Sequence, residues 1–228
     1  MQKIVFSTYG MSPALLHARN ALEQWGYPVS ADLSQATCLL LPIPSGEICS
    51  KLPPLPPDVT IFGGFLPPLG YAQVDLLQDN YYLTENAAIT AQCALLYADI
   101  RPQTRVLVIG WGRIGKHLAA LLKEVGAEVT VAVRKQQDLD ALVALEIPAV
   151  KIAELQPRSY EVIYNTAPAP ILQAEDCAED ATLVDLASVR GILGDGVIWA
   201  RGLPGKDAPD RSGVLIAKTV LRYALGKE

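Results

Sequence analysis

Six residues near the middle of the chain, Gly110-Trp111-Gly112-Arg113-Ile114-Gly115, constrain the fold more than any other stretch. Val106, Leu107, Val108 and Ile109 run into them, apolar and mostly β-branched, and apolar residues recur at helical spacing over 116–125. Strand, glycine turn and helix in that order open a dinucleotide-binding βαβ unit. Each glycine has a mechanical reason. Gly110 turns the chain off the strand. Gly112 has no Cβ, so a diphosphate can approach the backbone. Gly115 lets the helix pack close to the strand. The free N–H groups and positive end of that helix then hold phosphates. Gly126 closes the helix before a second strand over 127–133. A glycine turn in a flavodoxin-like domain without a ligand is the alternative reading of the same pattern.

The end of the second strand bears on which dinucleotide. An NAD site usually places Asp or Glu there, to accept hydrogen bonds from the ribose 2′-hydroxyl. This chain has Val133, Arg134 and Lys135 instead. A carboxylate repels a 2′-phosphate, whereas a guanidinium binds it through paired, charge-assisted hydrogen bonds. Arg113, inside the glycine turn, is a second candidate for the phosphates. The expected cofactor is NADP, with NAD the alternative. A solvated turn is the bland reading of Arg134 and Lys135.

With 228 residues the chain is long enough for one large domain or two small ones. Half of the residues are apolar and 19% are charged, as in a soluble globular protein. The formal charge of −5 gives no reason to expect a nucleic-acid or anionic-membrane partner. The first residues lack the apolar core of a signal peptide, and no apolar run approaches the ~20 residues that span a bilayer. A cytoplasmic protein is expected. Cys38, Cys49, Cys93 and Cys177 form no C-x-x-C pair, and His17 and His117 are the two histidines, so no metal site is expected. Cys38 and Cys93 fit small core residues, and Cys49 and Cys177 stand in more polar sequence.

Taken in order, strands are expected over 3–7, 36–41, 59–62 and 80–83, with a short one possible around Val29. Ser12 and Pro13 cap a helix that ends at Gly26. The proline-rich stretch 42–57 has no period and is expected to be a loop. A helix over 84–98, capped by Thr84 or by residues just before it, connects to the glycine motif. After the second strand come a helix over 138–145 and strands over 149–152, 162–165, 182–186 and 196–199. A long loop over 200–209 leads to a last helix over 212–225, expected to return to the N-terminal part. This alternation predicts an α/β protein: a doubly wound parallel (Rossmann) sheet with a second, smaller N-terminal α/β domain. The expected division is 1–83, a connecting helix over 84–100, the dinucleotide domain over 101–210 and a returning helix over 211–228. Ligands of such sheets bind beyond the carboxyl ends of the strands. That rule gathers Gly110, Trp111, Gly112, Arg113, Ile114, Gly115, Arg134, Lys135, Thr166, Ala167, Pro168, Ala187 and Ser188 as the cofactor-binding set.

The motifs from the middle of the chain to its end resemble those of the dipicolinate synthase family, in its A-type subunit. Val108 to Gly115 resembles that family's glycine motif, including the arginine after the second glycine. Ala132-Val133-Arg134-Lys135 resembles its acid-free Gly-Ala-Arg-Ser strand end, and Tyr164-Asn165-Thr166-Ala167-Pro168 its Asn-Thr-Ile-Pro. Asp185-Leu186-Ala187-Ser188 matches outright, and Gly202-Leu203-Pro204-Gly205 with Ala208-Pro209 and Ser212-Gly213 matches its Gly-Leu-Pro-Gly segment. The N-terminal part is shorter than the family's and divergent, matching more faintly through 41–45 and 62–64. The resemblance implies an NADPH-binding oxidoreductase subunit acting on a dihydrodipicolinate-like carboxylated substrate in a cleft between domains. It also implies sporulation and a flavoprotein-like B-type subunit as partner; a homo-oligomer is expected as well. No catalytic acid or base is identified. His17, His117, Lys206, Arg190, Arg201 and Asp185 each have a bland reading, and Tyr9, Ser45 and Gly64 are candidates to line the cleft. A non-catalytic module that senses the cofactor or scaffolds a partner enzyme is the alternative function.

Overall fold

The computed structural model describes residues 4–226. The expected first strand therefore starts, at Lys3, outside the described residues. The chain opens with β1 (Phe6–Thr8), α1 (Pro13–Gln24), β2 (Cys38–Leu40), β3 (Thr60–Gly63), β4 (Ala72–Asp75) and α2 (Asn80–Ala94). It continues with β5 (Arg105–Ile109), α3 (Arg113–Glu124), β6 (Glu128–Val133), α4 (Gln136–Ala144), β7 (Ala149–Lys151), β8 (Val162–Asn165), β9 (Leu172–Gln173), β10 (Thr182–Asp185), β11 (Ile192–Leu193) and β12 (Ile198–Trp199). The last elements are α5 (Leu203–Asp207) and α6 (Pro209–Ala224). The fold is α/β with parallel sheets. It divides into two compact units, one of residues up to Asn86 together with those from Pro204 on, the other from Ala87 to Leu203.

The first unit holds a parallel four-stranded sheet in the order β1-β2-β3-β4. Val29 adds a single parallel bridge to Phe6. α1 starts where Ser12 Oγ accepts from the Leu15 N–H (3.1 Å), with Pro13 at the first helical position. α6 packs along α1, burying Leu215, Ile216, Ala217 and Val220. Leu215, Ile216 and Val220 each contribute about 1.5–3 kcal/mol when fully buried. A Cβ on Gly213 would come within 2.4 Å of His17 Cβ and 2.5 Å of the Ala14 carbonyl oxygen, so the two helices touch at the backbone.

The second unit holds a parallel six-stranded sheet in the order β12-β10-β8-β5-β6-β7. In chain order that is 3-2-1-4-5-6 read from the β7 edge, the doubly wound order of dinucleotide-binding folds. β5 and β8 are buried along nearly their whole length because both sheet faces are covered, hence their unbroken apolar sequence. On one face Leu107, Ile109, Ile163 and Leu183 pack with Leu172 and Ile192. These last two belong to β9 and β11, which pair only with each other. The crossovers from β8 to β10 and from β10 to β12 thus carry a two-residue ladder where an α-helix is usual. Buried Tyr164 donates its hydroxyl to the Ala94 carbonyl at the end of α2 (3.2 Å).

Several sequence expectations are corrected. Residues 80–83 are helical, not a strand, because the Asp79 carboxylate accepts from the Tyr82 N–H (2.6 Å) and starts α2 four residues early. The proline-rich stretch is not all loop: Gly46–Lys51 is a 3-10 helix. The segment before the last helix contains the short α5. β4, β9 and β11 have no counterpart among the expected strands. Cys49 and Cys177 are buried, as are Cys38 and Cys93, and none of the four is in a disulfide.

Candidate dinucleotide site

The switch point of the second sheet lies between β5 and β8, where the strand order reverses. Gly110 leaves β5 with φ +103°, a conformation that favours glycine, while its N–H still donates to the Ala132 carbonyl (2.9 Å). A Cβ on Gly110 would stand 2.6 Å from Thr166 Oγ1, and one on Gly115 would stand 2.2 Å from the Gly110 carbonyl oxygen. Around Gly112 the case is opposite: a Cβ there would meet no atom within 4 Å. Two glycines are required by close packing inside the protein, and the third faces open space in front of the helix. Gly112 is also the N-cap of α3 and, having no side chain, makes no side-chain cap hydrogen bond to the helix. An open approach to a helix amino end whose cap residue carries no side chain suits a diphosphate.

A cavity of about 480 Å³ opens beside this turn, within the ~300–1,000 Å³ typical of small-ligand sites. Gly110, Trp111, Arg134, Lys135, Ala167 and Pro168 line it, all members of the sequence-derived set. Gly112, Arg113, Ile114 and Gly115 form the adjoining turn and the start of α3. Ala187 and Ser188 do not line this cavity. They follow β10, two strands away from β5, with Ala187 buried and Ser188 exposed. The sequence-derived set lacks Ala132, Val133, Asp138, Ile152 and residues 169–171 of the wall. Asp138 lies in the first turn of α4, five residues past the end of β6, and an acid in a helix's first turn was the available signal.

The two loops on the other side of the switch point are held by a buried polar network. Asn165 donates through Nδ2 to the Ala167 carbonyl (3.0 Å) and accepts from the Ala167 N–H through Oδ1 (3.1 Å), which fixes the turn after β8. Its Nδ2 also donates to Asp185 Oδ1 (2.9 Å). Asp185 accepts further from the Ala187 N–H (3.0 Å), the Gly191 N–H (2.6 Å) and the Ile192 N–H (2.9 Å). Thr166 donates its hydroxyl to the Ile109 carbonyl (2.9 Å), tying the same turn to the end of β5. These side chains are occupied in shaping backbone.

The remaining candidates stand apart. His117 lies half-buried on α3 and His17 on α1, against Gly213. Burial pushes the Cys38 and Cys177 thiols up to about 11, the charge of Asp176 adding to the effect on Cys177, so neither is a ready nucleophile. A second depression, about 630 Å³ and lined by Arg158, Glu175 and Ala181 among others, opens near the amino ends of β8 and β10, away from the switch point. Among the described residues no helix is long and apolar enough to cross a membrane.

The strand order, the glycine turn and the cavity define a nicotinamide-dinucleotide-binding fold of the dehydrogenase kind. The NAD-binding-domain model of the D-isomer-specific 2-hydroxyacid dehydrogenases matches residues 78–171. The A-type subunit of dipicolinate synthase from Bacillus halodurans is similar in fold, with 19% identity, a TM-score of 0.79 and coverage of 97% of each chain. Its counterpart in the dipicolinate synthase of Bacillus subtilis is similar too, at 18% identity and a TM-score of 0.79 over 99% of this chain and 97% of that one. A transhydrogenase from Sinorhizobium meliloti shares 16% identity at a TM-score of 0.74 over 97% of this chain and 93% of that one. No curated protein matches the sequence.

Proposed function

We propose that the chain is an NADP-dependent oxidoreductase subunit of the kind found as the A-type chain of dipicolinate synthase, acting on a small carboxylated substrate of the dihydrodipicolinate type. The observation that carries the reading is the wall of the cavity over β5 and β6. It joins the glycine turn to Arg134 and Lys135, with no carboxylate at the strand end itself. The amino end of α3 receives the diphosphate through backbone N–H groups, and Gly112 leaves room for it. Arg134 meets the 2′-phosphate with a planar fork of donors, and Lys135 adds charge. Asn165 holds the turn at 166–168 against the nicotinamide ribose, and Asp185 holds Ala187 in the neighbouring loop. The nicotinamide, when bound, exchanges a hydride with the substrate. A flavoprotein-like second subunit, assembly as a homo-oligomer and a cytoplasmic setting belong to the same reading.

Calorimetric titration of the wild type and Arg134→Gln with NADPH and NADH tests it. The wild type is expected to prefer NADPH. The variant is expected to lose about tenfold or more in NADPH affinity, the worth of a charge-assisted hydrogen bond, and to keep its NADH affinity. Equal binding of both nucleotides would return the site to NAD, and binding of neither would remove the reading.

A second reading, a non-catalytic cofactor sensor or scaffold, is favoured by one observation. Among the described residues, those lining the cavity include no histidine, cysteine or tyrosine. Steady turnover of a pyridine dicarboxylate precursor by the purified protein would exclude it.

A further inference from the structure

Phe65 holds a backbone conformation that bulky residues rarely adopt, and it leaves its ring in solvent. Its φ is +56°, in the left-handed region, and the residue is 69% exposed. The other non-glycine residues with positive φ among those described, Gln103 and Glu146, are polar. Among the described residues no aromatic ring or cation lies against the Phe65 ring.

The conformation is imposed from both sides. The Gly64 N–H donates to Ser45 Oγ (2.9 Å), and the Gly64 carbonyl accepts from the Ser45 N–H (2.8 Å). A Cβ on Gly63 would stand 2.2 Å from Ser45 Oγ, and one on Gly64 would stand 2.8 Å from Ile43 Cγ2, so this stretch has no room to shift. On the other side the Leu66 N–H donates to Asp75 Oδ2 (3.3 Å), and Leu66 packs on the core of Leu39, Leu41, Val59 and Ile61. Pro67 keeps Leu66 extended. Phe65 joins two pinned neighbours and takes the turn between them. Glycine or asparagine would meet that demand with less strain. Neither the backbone nor the core therefore explains a phenylalanine here. Strain held in place by its surroundings, beneath an exposed side chain, points to a ligand contact.

We propose that the Phe65 ring is a stacking platform for the unsaturated ring of the substrate, and that it selects cyclic dicarboxylates over open-chain ones. Phe65 follows the end of β3 by two residues, at the carboxyl edge of the first unit's parallel sheet. Ligands of parallel sheets bind beyond that edge. An aromatic face attracts a flat ring by offset stacking and offers an open chain much less. Phe65 takes no part in the hydride step; it acts on which substrate is held. The inference rests on the proposed reading, in which the substrate is of the dihydrodipicolinate type.

The test is calorimetry on the full chain with pyridine-2,6-dicarboxylate and with glutarate, an open-chain dicarboxylate, each with and without saturating NADPH. Phe65→Ala and Phe65→Gly are each expected to lose about three- to tenfold in affinity for the pyridine acid, the worth of an aromatic stack. Phe65→Trp is expected to keep that affinity. Glutarate and NADPH affinities are expected to stay at the wild-type values in all three variants. The thermal midpoint of Phe65→Gly is expected at or above the wild-type value, because glycine adopts this φ without strain. Pyridine affinity in Phe65→Ala within about twofold of the wild type, or an equal loss for glutarate, would overturn the platform. A wild type that binds NADPH but not the pyridine acid would overturn it too. So would a Phe65→Ala protein that keeps the pyridine acid and loses a self-association seen in the wild type by sedimentation, which would give the ring to a protein interface. A wild type that holds the pyridine acid through Phe65 but binds no nucleotide would uphold the platform and sink the reading it rests on.

Discussion

The side-chain amide of Asn165 donates to the carboxylate of Asp185 across 2.9 Å, and neither residue has any exposed surface. The two end adjacent parallel strands and are partners in register. One bond therefore joins the turn after β8 to the loop after β10, the two loops expected to meet the nicotinamide. Gly191 completes the arrangement, since a Cβ there would stand 2.3 Å from Asn165 Nδ2.

Asp185→Ala leaves the N–H groups of Ala187, Gly191 and Ile192 without their acceptor. Each orphaned buried donor costs about 1–3 kcal/mol, and partial relaxation lowers the sum. A loss of about 3 kcal/mol or more is expected in chemical denaturation. A loss under about 1 kcal/mol would show that the network does not hold the loops.

Gly115→Ala tests the contact between helix and strand. The added Cβ would stand 2.2 Å from a backbone oxygen, so α3 must move away from β5. Overpacking of this kind costs about 1–3 kcal/mol, and the upper end is expected here because the neighbour is backbone. Thermal unfolding would show a lowered midpoint. A variant as stable as the wild type would mean that the helix has room the structure denies it.

The glycine turn was legible in the sequence because its constraints are local: three residues, one strand end and one helix start. The acid-free end of β6 was legible for the same reason. Other parts were hidden by competing signals. Asn80, Tyr81, Tyr82 and Leu83 look like a strand because aromatic residues favour one, and the Asp79 cap overrides them. β4 is an edge strand of Ala72, Gln73, Val74 and Asp75 that alternates too little to stand out. Leu203, Pro204 and Gly205 have the composition of a turn yet sit in a helix. The ladder of β9 and β11, two residues each, is decided by packing on the sheet, which no local pattern reports. Asp138 reaches the cavity wall through tertiary structure alone.

The buried thiols make stability depend on alkaline pH. Burial pushes Cys38 and Cys177 from an ordinary value of 9.0 up to about 11. A folded-state value above the unfolded one means that the folded protein keeps the neutral thiol. The stabilisation is full below about 9 and is lost as pH rises towards about 11. Denaturation midpoints measured at pH 8, 10 and 11 are expected to fall over that window, and less steeply in Cys38→Ala. Thiol reagents at pH 8 are expected to label the native protein slowly. A flat profile with rapid labelling would contradict the burial of these groups.

Everything proposed for the cofactor depends on the open space in front of α3. Gly112 has φ −82°, which any residue adopts, and a Cβ there meets nothing within 4 Å. Gly112→Val should therefore fold like the wild type and fill only the room kept for a diphosphate. Titration of both proteins with NADPH is the most direct measurement. The account predicts a folded protein with at most a small drop in thermal midpoint, since Val caps a helix less well than Gly, and a loss of about 100-fold or more in NADPH affinity, about 2.7 kcal/mol. A folded Gly112→Val protein that binds NADPH as tightly as the wild type would contradict it.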